Sequence, residues 1–320
     1  MSATETIGVD LGGTKMLSGV LDPDANVLWE DREASTGQSE EELVEMLVRE
    51  IEEAHAARPA AAAVGLGIPA TVDHARGAAV SAVNLPIENL PIRDLAAKRT
   101  GLPVFVDNDA NVAALAEHLY GAAQGVENAV MLTIGTGIGG GLVLGGEIFR
   151  GSTGAGAELG HMVIEMDGPR CQGNCPNRGC VETYASGTAL GRTGREAAEN
   201  APDSALGKML ADGHPIDGRA VTVAAKDGDA TAIGVFETVG TRLGVALASF
   251  ANIFEPEVIV IGGGVIAAGD LLLDPARREL EARALRPMNR TPVVAAQLGE
   301  DAGMIGAAAM ARIELERSAS

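Results

Sequence analysis

Residues 7–22 read IGVDLGGTKMLSGVLD, a run that sets the plan of the fold. IGVD at 7–10 has the composition of a strand. It runs into Gly12 and Gly13, and a second apolar run, MLSGVLD at 16–22, comes straight back. Two apolar runs across a glycine turn predict a β-hairpin. An Asp22-Pro23-Asp24 turn then leads to NVLWE at 26–30, which makes a meander. The design recurs later. NAVMLTIG at 128–135 reads as a strand, and GLVLGGEIF at 141–149 as a second across another glycine turn. The two stretches share no long identical segment, so the repeat is one of architecture.

Outward from these hairpins, helices alternate with strands. Ser39 and Glu42 have capping-box spacing, and Leu43, Val44, Leu47 and Ile51 fall on one helical face. AVGLGIP (63–69) and LPVFVD (102–107) read as strands, with a short helix at PIRDLAAKR between them. A helix is predicted from near Asp109, with Val112, Leu115, Ala116 and Leu119 on one face and a stop at Gly121. VIVIGGG (258–264) is a strand entering a helix. GMIGAAAMARIELE (303–316) is a last helix, apolar on one face and expected to return to the first domain. Such alternation implies α/β layers. A chain of 320 residues exceeds the usual span of one core. The expected domains are a smaller one at 1–118, completed by the helix at 300–320, and a larger one at 119–299.

The formal net charge of −20 argues against nucleic acid or an anionic membrane surface as partner. The opening MSATETIGVD lacks the basic and apolar regions of a signal peptide. The most apolar run, 129–146, has seven glycines among its 18 residues and reads as hairpin rather than membrane span. Three cysteines without a disulfide-type pattern place the protein in the cytoplasm. The acidic, lysine-poor composition fits either a halophile or a GC-rich genome.

Three glycine-rich turns invite a nucleotide: DLGGTK (10–15), GTGIGGG (135–141) and IGGGV (261–265). Successive backbone N–H groups in such turns form an anion site. No G-K-[ST] tripeptide occurs, so none is a Walker A loop. Gly135-x-Gly137-x-x-Gly140 matches the dinucleotide fingerprint but precedes a strand. Gly262-x-Gly264-x-x-Ala267 has the right context yet lies late in the chain. Taken singly, each is equally readable as an ordinary turn. Together they suit two domains holding one triphosphate.

DLGGTK, DNDAN at 107–111, GTGIGGG, AELGH at 157–161, a cysteine cluster ending GCVE, and PEVIVIGGGV form an ordered series. This series resembles the ROK family of sugar kinases, and its glucokinases most closely. The resemblance runs from residue 7 to about 265, with family-like sequence to about 310. It implies a two-domain actin-like (ribonuclease H-like) ATPase fold with a cleft between domains. It also implies ATP with Mg²⁺, a hexose substrate and a homo-oligomer, dimer or tetramer.

His161, Cys171, Cys175 and Cys180 offer one imidazole and three thiolates, the donor set of a closed structural zinc site. A disulfide with one leftover thiol, or three buried cysteines, fits poorly with a loop rich in Gly, Pro and Asn. The family pattern is Cys-x-Cys followed by Gly-x-x-Gly-Cys. Here two extra residues separate Cys171 from Cys175, and Pro176 replaces a glycine. That departure puts Cys171 in question as a ligand. The zinc loop, 161–182, would place His161 and Glu182.

For the site residues, the local pattern and the resemblance pull apart. Asp107, Asn108 and Asp109 stand at a helix start, where Asn and Asp are preferred caps. The resemblance instead makes Asp109 the general base and Asn108 a sugar ligand, with a cap from Asp107 still compatible. It also implies that Glu158, His161 and Glu182 bind the sugar, with Asn84 and the backbone at Gly67 closing the pocket. On the nucleotide side, Asp10 would face Mg²⁺ and the phosphates. Gly12, Gly13, Thr14, Lys15, Thr136 and Gly137 would hold phosphate oxygens, and Gly263 and Gly264 would pass under the adenosine. The expected function is ATP-dependent phosphorylation of glucose to glucose 6-phosphate. Mannose, N-acetylmannosamine, N-acetylglucosamine or fructose as acceptor, and polyphosphate as donor, stay open. A sugar-responsive regulator would need an N-terminal helix-turn-helix, and six residues precede the first strand. A dinucleotide-dependent oxidoreductase rests on the 262–267 match alone.

Overall fold

The computed structural model describes residues 4–13, 15–35, 39–82 and 85–319. Thr14 and Asn84, both expected site residues, lie outside the described residues. The chain divides into two compact units, residues 1–125, 141–157 and 297–320, and residues 126–140 and 158–296. The boundary expected at 118 falls at 125, and residues 141–157, expected in the second domain, belong with unit 1. Local contacts explain the latter. A Cβ at Gly141 would meet Ala114 and the Ala110 carbonyl, and one at Gly154, where φ is +96°, would meet the backbone of Val72 and His74.

Unit 1 opens with the predicted meander: β1 (Thr6–Leu11), β2 (Lys15–Leu21) and β3 (Val27–Ala34). Helix α1 (Glu40–Ala57) starts at the Ser39–Glu42 capping box and buries Leu43, Leu47 and Ile51. Strand β4 (Val64–Ile68) follows. A separate small sheet of β5 (Ala70–Asp73), β6 (Ala78–Ala82) and β7 (Glu88–Leu90) comes next, a hairpin region that the sequence pattern did not mark. Then come α2 (Ile92–Thr100), β8 (Val104–Asn108) and α3 (Asp109–Tyr120), the last ending at Gly121 as predicted.

The second half begins with β9 (Ala129–Ile134), β10 (Ile138–Leu144) and β11 (Glu147–Ile148). The run 141–149, read as one strand, holds a second turn. Gly145 and Gly146 both have positive φ, 61° and 78°, the geometry of a tight hairpin. Unit 2, which holds β9 and the start of β10, continues with α4 (Glu182–Ala185), α5 (Gly187–Asn200), α6 (Ala205–Ala211), α7 (Gly218–Lys226) and α8 (Ala230–Phe254). Strand β12 (Val258–Gly262), α9 (Asp270–Arg283) and β13 (Val293–Ala295) complete it. Helix α8 is long and apolar enough to cross a membrane by length and composition. Its Phe236, Leu243, Leu247 and Phe250 are buried, and it packs along α9 as a core helix. Last comes α10 (Ala302–Ser318).

The two five-stranded sheets have one plan, β3-β2-β1-β4-β8 and β11-β10-β9-β12-β13. In each, an antiparallel hairpin leads, and parallel strands follow on the other side of its first strand. The repeat read from the glycine turns is therefore topological. In unit 1, Ile7, Val9, Leu66, Ile68 and Val106 form the core with α1. Helix α10 closes the other face of that sheet, and Ala302 to Ala311 are buried without a break. The single apolar face expected of this helix understates its burial. It lies so close to the sheet that a Cβ at Gly65 would collide with the Ala307 carbonyl.

Candidate active site

Three parallel strands of unit 1 end in register. Asp10 of β1 pairs with Gly67 of β4, which pairs with Asp107 of β8. The carboxyl ends of parallel strands are where open α/β sheets bind ligands. Asp109, two residues past Asp107, begins α3. A Cβ at Gly67 would lie 3.7 Å from Asp10 Oδ1 and 3.8 Å from Asp109 Cα. Sequence-distant residues 10, 67 and 109 are thus brought to one place. The carboxyl of Asp10 also lies against the first turn of α10, where a Cβ at Gly303 would collide with it. Burial, reinforced by the negative charge of Asp109 and opposed by Lys15, raises the pKa of Asp10 to about 7. Such a carboxylate is one whose charge a cation would stabilise.

At the start of α3, Asn108 is the cap. Its Oδ1 accepts from the N–H groups of Ala110 (2.9 Å) and Asn111 (3.3 Å), and its Nδ2 donates to Ala70 O at 3.3 Å. The cap allowed for Asp107 is therefore not made. Buried Asp107 instead accepts from Asn108 N–H (2.8 Å) and Asn111 Nδ2 (2.9 Å) through Oδ1. Its Oδ2 accepts from Arg150 Nε at 2.6 Å. Arg150 escaped the sequence reading because it is 43 residues from its partner and sits in no motif.

The β1–β2 turn is closed by Gly12 N–H donating to Lys15 O at 2.8 Å, while Ser35 Oγ donates to Gly12 O at 2.6 Å. Gly13 lies within this turn. Lys15, expected on phosphate, is ion-paired with Glu300 at 2.6 Å, and Arg32 reaches Glu300 and Asp301 at 3.3 Å each. All of these groups are exposed enough to exchange partners.

Unit 2 assembles its own set. Gly263, at φ +83°, passes so close to Ile134 that a Cβ would meet its backbone at 2.5 Å. This brings the 263–264 turn beside the 135–138 turn. The start of α5 joins them: Gly187 N–H donates to Gly135 O (2.7 Å) and Thr188 Oγ1 to Thr136 O (2.8 Å). Thr136 is exposed, and a side chain added at Gly264 would meet open space. The turns leave room on that side. The contribution of α5 was not read from the sequence, although Ser186-Gly187-Thr188 has the cap composition that signals a helix start.

His161, Cys171, Cys175 and Cys180 place one donor atom each within 4.8 Å of one another. Cys171 Sγ is 3.4 Å from His161 Nδ1, and Cys175 Sγ is 4.0 Å from Cys180 Sγ. Ligands ~2.0–2.3 Å from a tetrahedral metal stand roughly this far apart, so the donor set fits a metal of that preference. The longer loop therefore keeps Cys171 within reach. A ribbon holds the cluster, with bridges from Val163 to Cys180 and from Arg170 to Arg178. Burial first, and then the neighbouring thiols, push the Cys171 thiol up, and burial pushes Cys180 up as well.

Glu158 is exposed, with Oε2 3.9 Å from His161 Nε2. Glu182, expected beside it on sugar, is only 8% exposed. One of its oxygens, Oε2, accepts from Ile138 N–H at 2.8 Å, and the other lies 3.8 Å from Cys171 Sγ. It thus touches both the cysteine cluster and the 135–138 turn.

The sequence profile of the ROK family matches residues 6–314. The chain is 38% identical over 313 residues to the glucokinase of Streptomyces coelicolor, covering 96% of this chain and 97% of that protein. It is also 38% identical over 313 residues to the glucokinase of Thermotoga maritima, covering 97% and 98%. Among solved structures, a ROK family glucokinase from Streptomyces griseus in complex with glucose and AMPPNP aligns with a TM-score of 0.86. Its identity is 37%, over 97% of this chain and 99% of that one.

Proposed function

The chain belongs to the ROK family, and we propose that it transfers the γ-phosphoryl group of ATP to glucose, giving glucose 6-phosphate and ADP. Its α/β architecture is the two-domain actin-like ATPase fold of that family. The observation that carries the reading is the registered row Asp10–Gly67–Asp107, with Asp109 two residues beyond, at the carboxyl ends of three parallel strands. A phosphoryl transfer needs positioning and charge stabilisation more than covalent help from the protein. Carboxylates at this edge suit a cation on one side and an acceptor hydroxyl on the other.

Asp109 takes the proton of the acceptor hydroxyl as that oxygen bonds to phosphorus and the bond to the β-phosphate oxygen breaks. Asp10 is the carboxylate that would hold the Mg²⁺ accompanying ATP, which neutralises phosphate charge when bound. Gly13, Thr14 and Lys15 present donors to phosphate oxygens, which for Lys15 means leaving Glu300, while Gly12, its N–H held by Lys15 O, closes the turn that carries them. In unit 2, the N–H groups and hydroxyl of the 135–138 turn do the same at Thr136 and Gly137. Gly263 and Gly264 pass under the nucleoside, with the open space at Gly264. Glu158, His161 and Glu182 accept or donate hydrogen bonds to sugar hydroxyls, as do Asn108, Asn84 and the backbone at Gly67. Each carboxylate can accept two hydroxyl hydrogens.

Zinc is the metal we assign to the four-donor cluster, since three thiolates and one imidazole are its usual structural set. It would hold the 161–182 loop in one shape and leave the chemistry to the carboxylates. Free thiols at all three cysteines fit a reducing compartment, the cytoplasm. Family resemblance supports a homo-oligomer, which light scattering would measure.

The test is ADP release, coupled to a spectroscopic readout, over glucose, mannose, fructose, N-acetylglucosamine and N-acetylmannosamine, with ATP and polyphosphate as donors. Glucose with ATP should give the largest kcat/KM. ADP release that no sugar stimulates would overturn the reading.

A further inference from the structure

We infer that Glu182 is a positioning residue that links the cysteine–histidine cluster to the phosphate-binding turn at 135–138. This rests on the kinase reading for what the turn holds. The link itself is structural. Glu182 stands two residues past Cys180 and opens the short helix α4. Its Oε2 accepts from Ile138 N–H at 2.8 Å, a charge-assisted bond in a buried place. The fit is tight, because a Cβ at Gly137 would collide with the same carboxylate. Oε1 lies 3.8 Å from Cys171 Sγ. Just past α4, at the start of α5, Gly187 N–H donates to Gly135 O at 2.7 Å and Thr188 Oγ1 to Thr136 O at 2.8 Å.

A segment of seven residues, 182–188, thus leaves the cluster and fastens the turn at three points, Gly135 O, Thr136 O and Ile138 N–H. A turn whose amides must converge on phosphate oxygens loses affinity when its backbone is released, since each amide then has to be ordered on binding. The consequence is that the cluster serves nucleotide binding as well as the sugar. A loop that only shaped the sugar pocket would leave nucleotide affinity untouched.

The experiment uses the full, metal-loaded chain, titrated calorimetrically with Mg²⁺–AMPPNP in the absence of sugar. Glu182→Ala should weaken binding by about tenfold, the loss of roughly one charge-assisted hydrogen bond. Glu182→Gln should bind within about threefold of the unaltered chain, because its amide oxygen can still accept from Ile138 N–H. Amide hydrogen exchange at Ile138 gives an independent readout, protected in the unaltered chain and Glu182→Gln, and fast in Glu182→Ala. Should Glu182→Ala fail to fold, chelation of the unaltered chain takes its place. It should speed exchange across 135–138 while α8 stays protected. Unchanged nucleotide affinity and unchanged Ile138 protection in Glu182→Ala, or unchanged exchange after chelation, would overturn the inference. An unaltered chain that binds no AMPPNP would instead contradict the kinase reading, and the exchange measurement would still decide the link.

Discussion

Arg150 Nε lies 2.6 Å from Asp107 Oδ2, and this ion pair ties the 141–157 segment to the strand that leads into Asp109. The Asp107 side chain is 2% exposed and that of Arg150 19%, so the pair is largely removed from water. Removing one partner of a buried pair leaves the other charge uncompensated, at a cost of ~3–5 kcal/mol. Arg150→Met should therefore destabilise by about that much in chemical unfolding. It should also lower kcat, because Asp107 without its partner holds Asn108 and Asn111 less firmly at the start of α3. The double variant Arg150→Met/Asp107→Asn should recover part of the stability. Additive losses would show that the two residues act apart.

Asp10 gives a pH signature with a definite sign. Its carboxyl holds its proton to about pH 7 in the folded chain, against an ordinary value of 3.8. Between those values the folded state binds more protons than the unfolded one, so this group makes stability fall as pH rises, until the loss is complete above about 7. Asp10→Asn removes that burden. Its melting temperature should exceed that of the unaltered chain at pH 8, with the gap closing toward pH 4, while turnover falls. An equal gap at both pH values would contradict the assignment.

Much of this was legible in the sequence, for reasons of range. The Ser39–Glu42 box, the hairpin at 7–22 and the helix from Asp109 to its stop at Gly121 are set by neighbours a few residues apart. The ordered motifs carried the family and the cysteine–histidine cluster. What stayed hidden depends on long-range pairing. Nothing near Arg150 announces Asp107, and nothing near Glu182 announces the Ile138 amide. Asn108 took the cap allowed for Asp107 because the Asp107 carboxylate was already committed to Arg150. The second turn inside 141–149 was readable in Gly145-Gly146 but was masked by an unbroken apolar run. Residues 70–90, short and mixed in composition, gave no periodic signal for the small sheet.

Glu117 is another long-range clamp. It is fully buried and accepts from the N–H groups of Ala122 (2.7 Å), Gln297 (2.9 Å) and Leu298 (2.8 Å). The last two bonds anchor the segment that leads into α10. Glu117→Ala strands these donors and should cost on the order of 3 kcal/mol in unfolding free energy, with Glu117→Gln costing less. A change below about 0.5 kcal/mol would show that water replaces the carboxylate.

The four-donor cluster predicts a metal stoichiometry. Mass spectrometry of the native chain should find about one zinc per chain. Because Cys171 Sγ stands 3.4 Å from His161 Nδ1, Cys171→Ser should lose metal as readily as Cys175→Ser or Cys180→Ser, despite its altered spacing in sequence. Active protein without metal, or a disulfide between Cys171 and Cys175, would contradict the assignment.

The central claim is that Asp109 is the base for phosphoryl transfer to glucose, and Asp109→Asn tests it most directly. Both capping bonds at the start of α3 come from Asn108, so the substitution leaves that cap in place. The decisive measurement is kcat of Asp109→Asn beside its glucose dissociation constant. The account predicts kcat lower by ~10²–10⁴, with glucose affinity within about tenfold, because the amide keeps its hydrogen bonding but cannot take the proton. A variant that retains more than about a tenth of the unaltered kcat would contradict it.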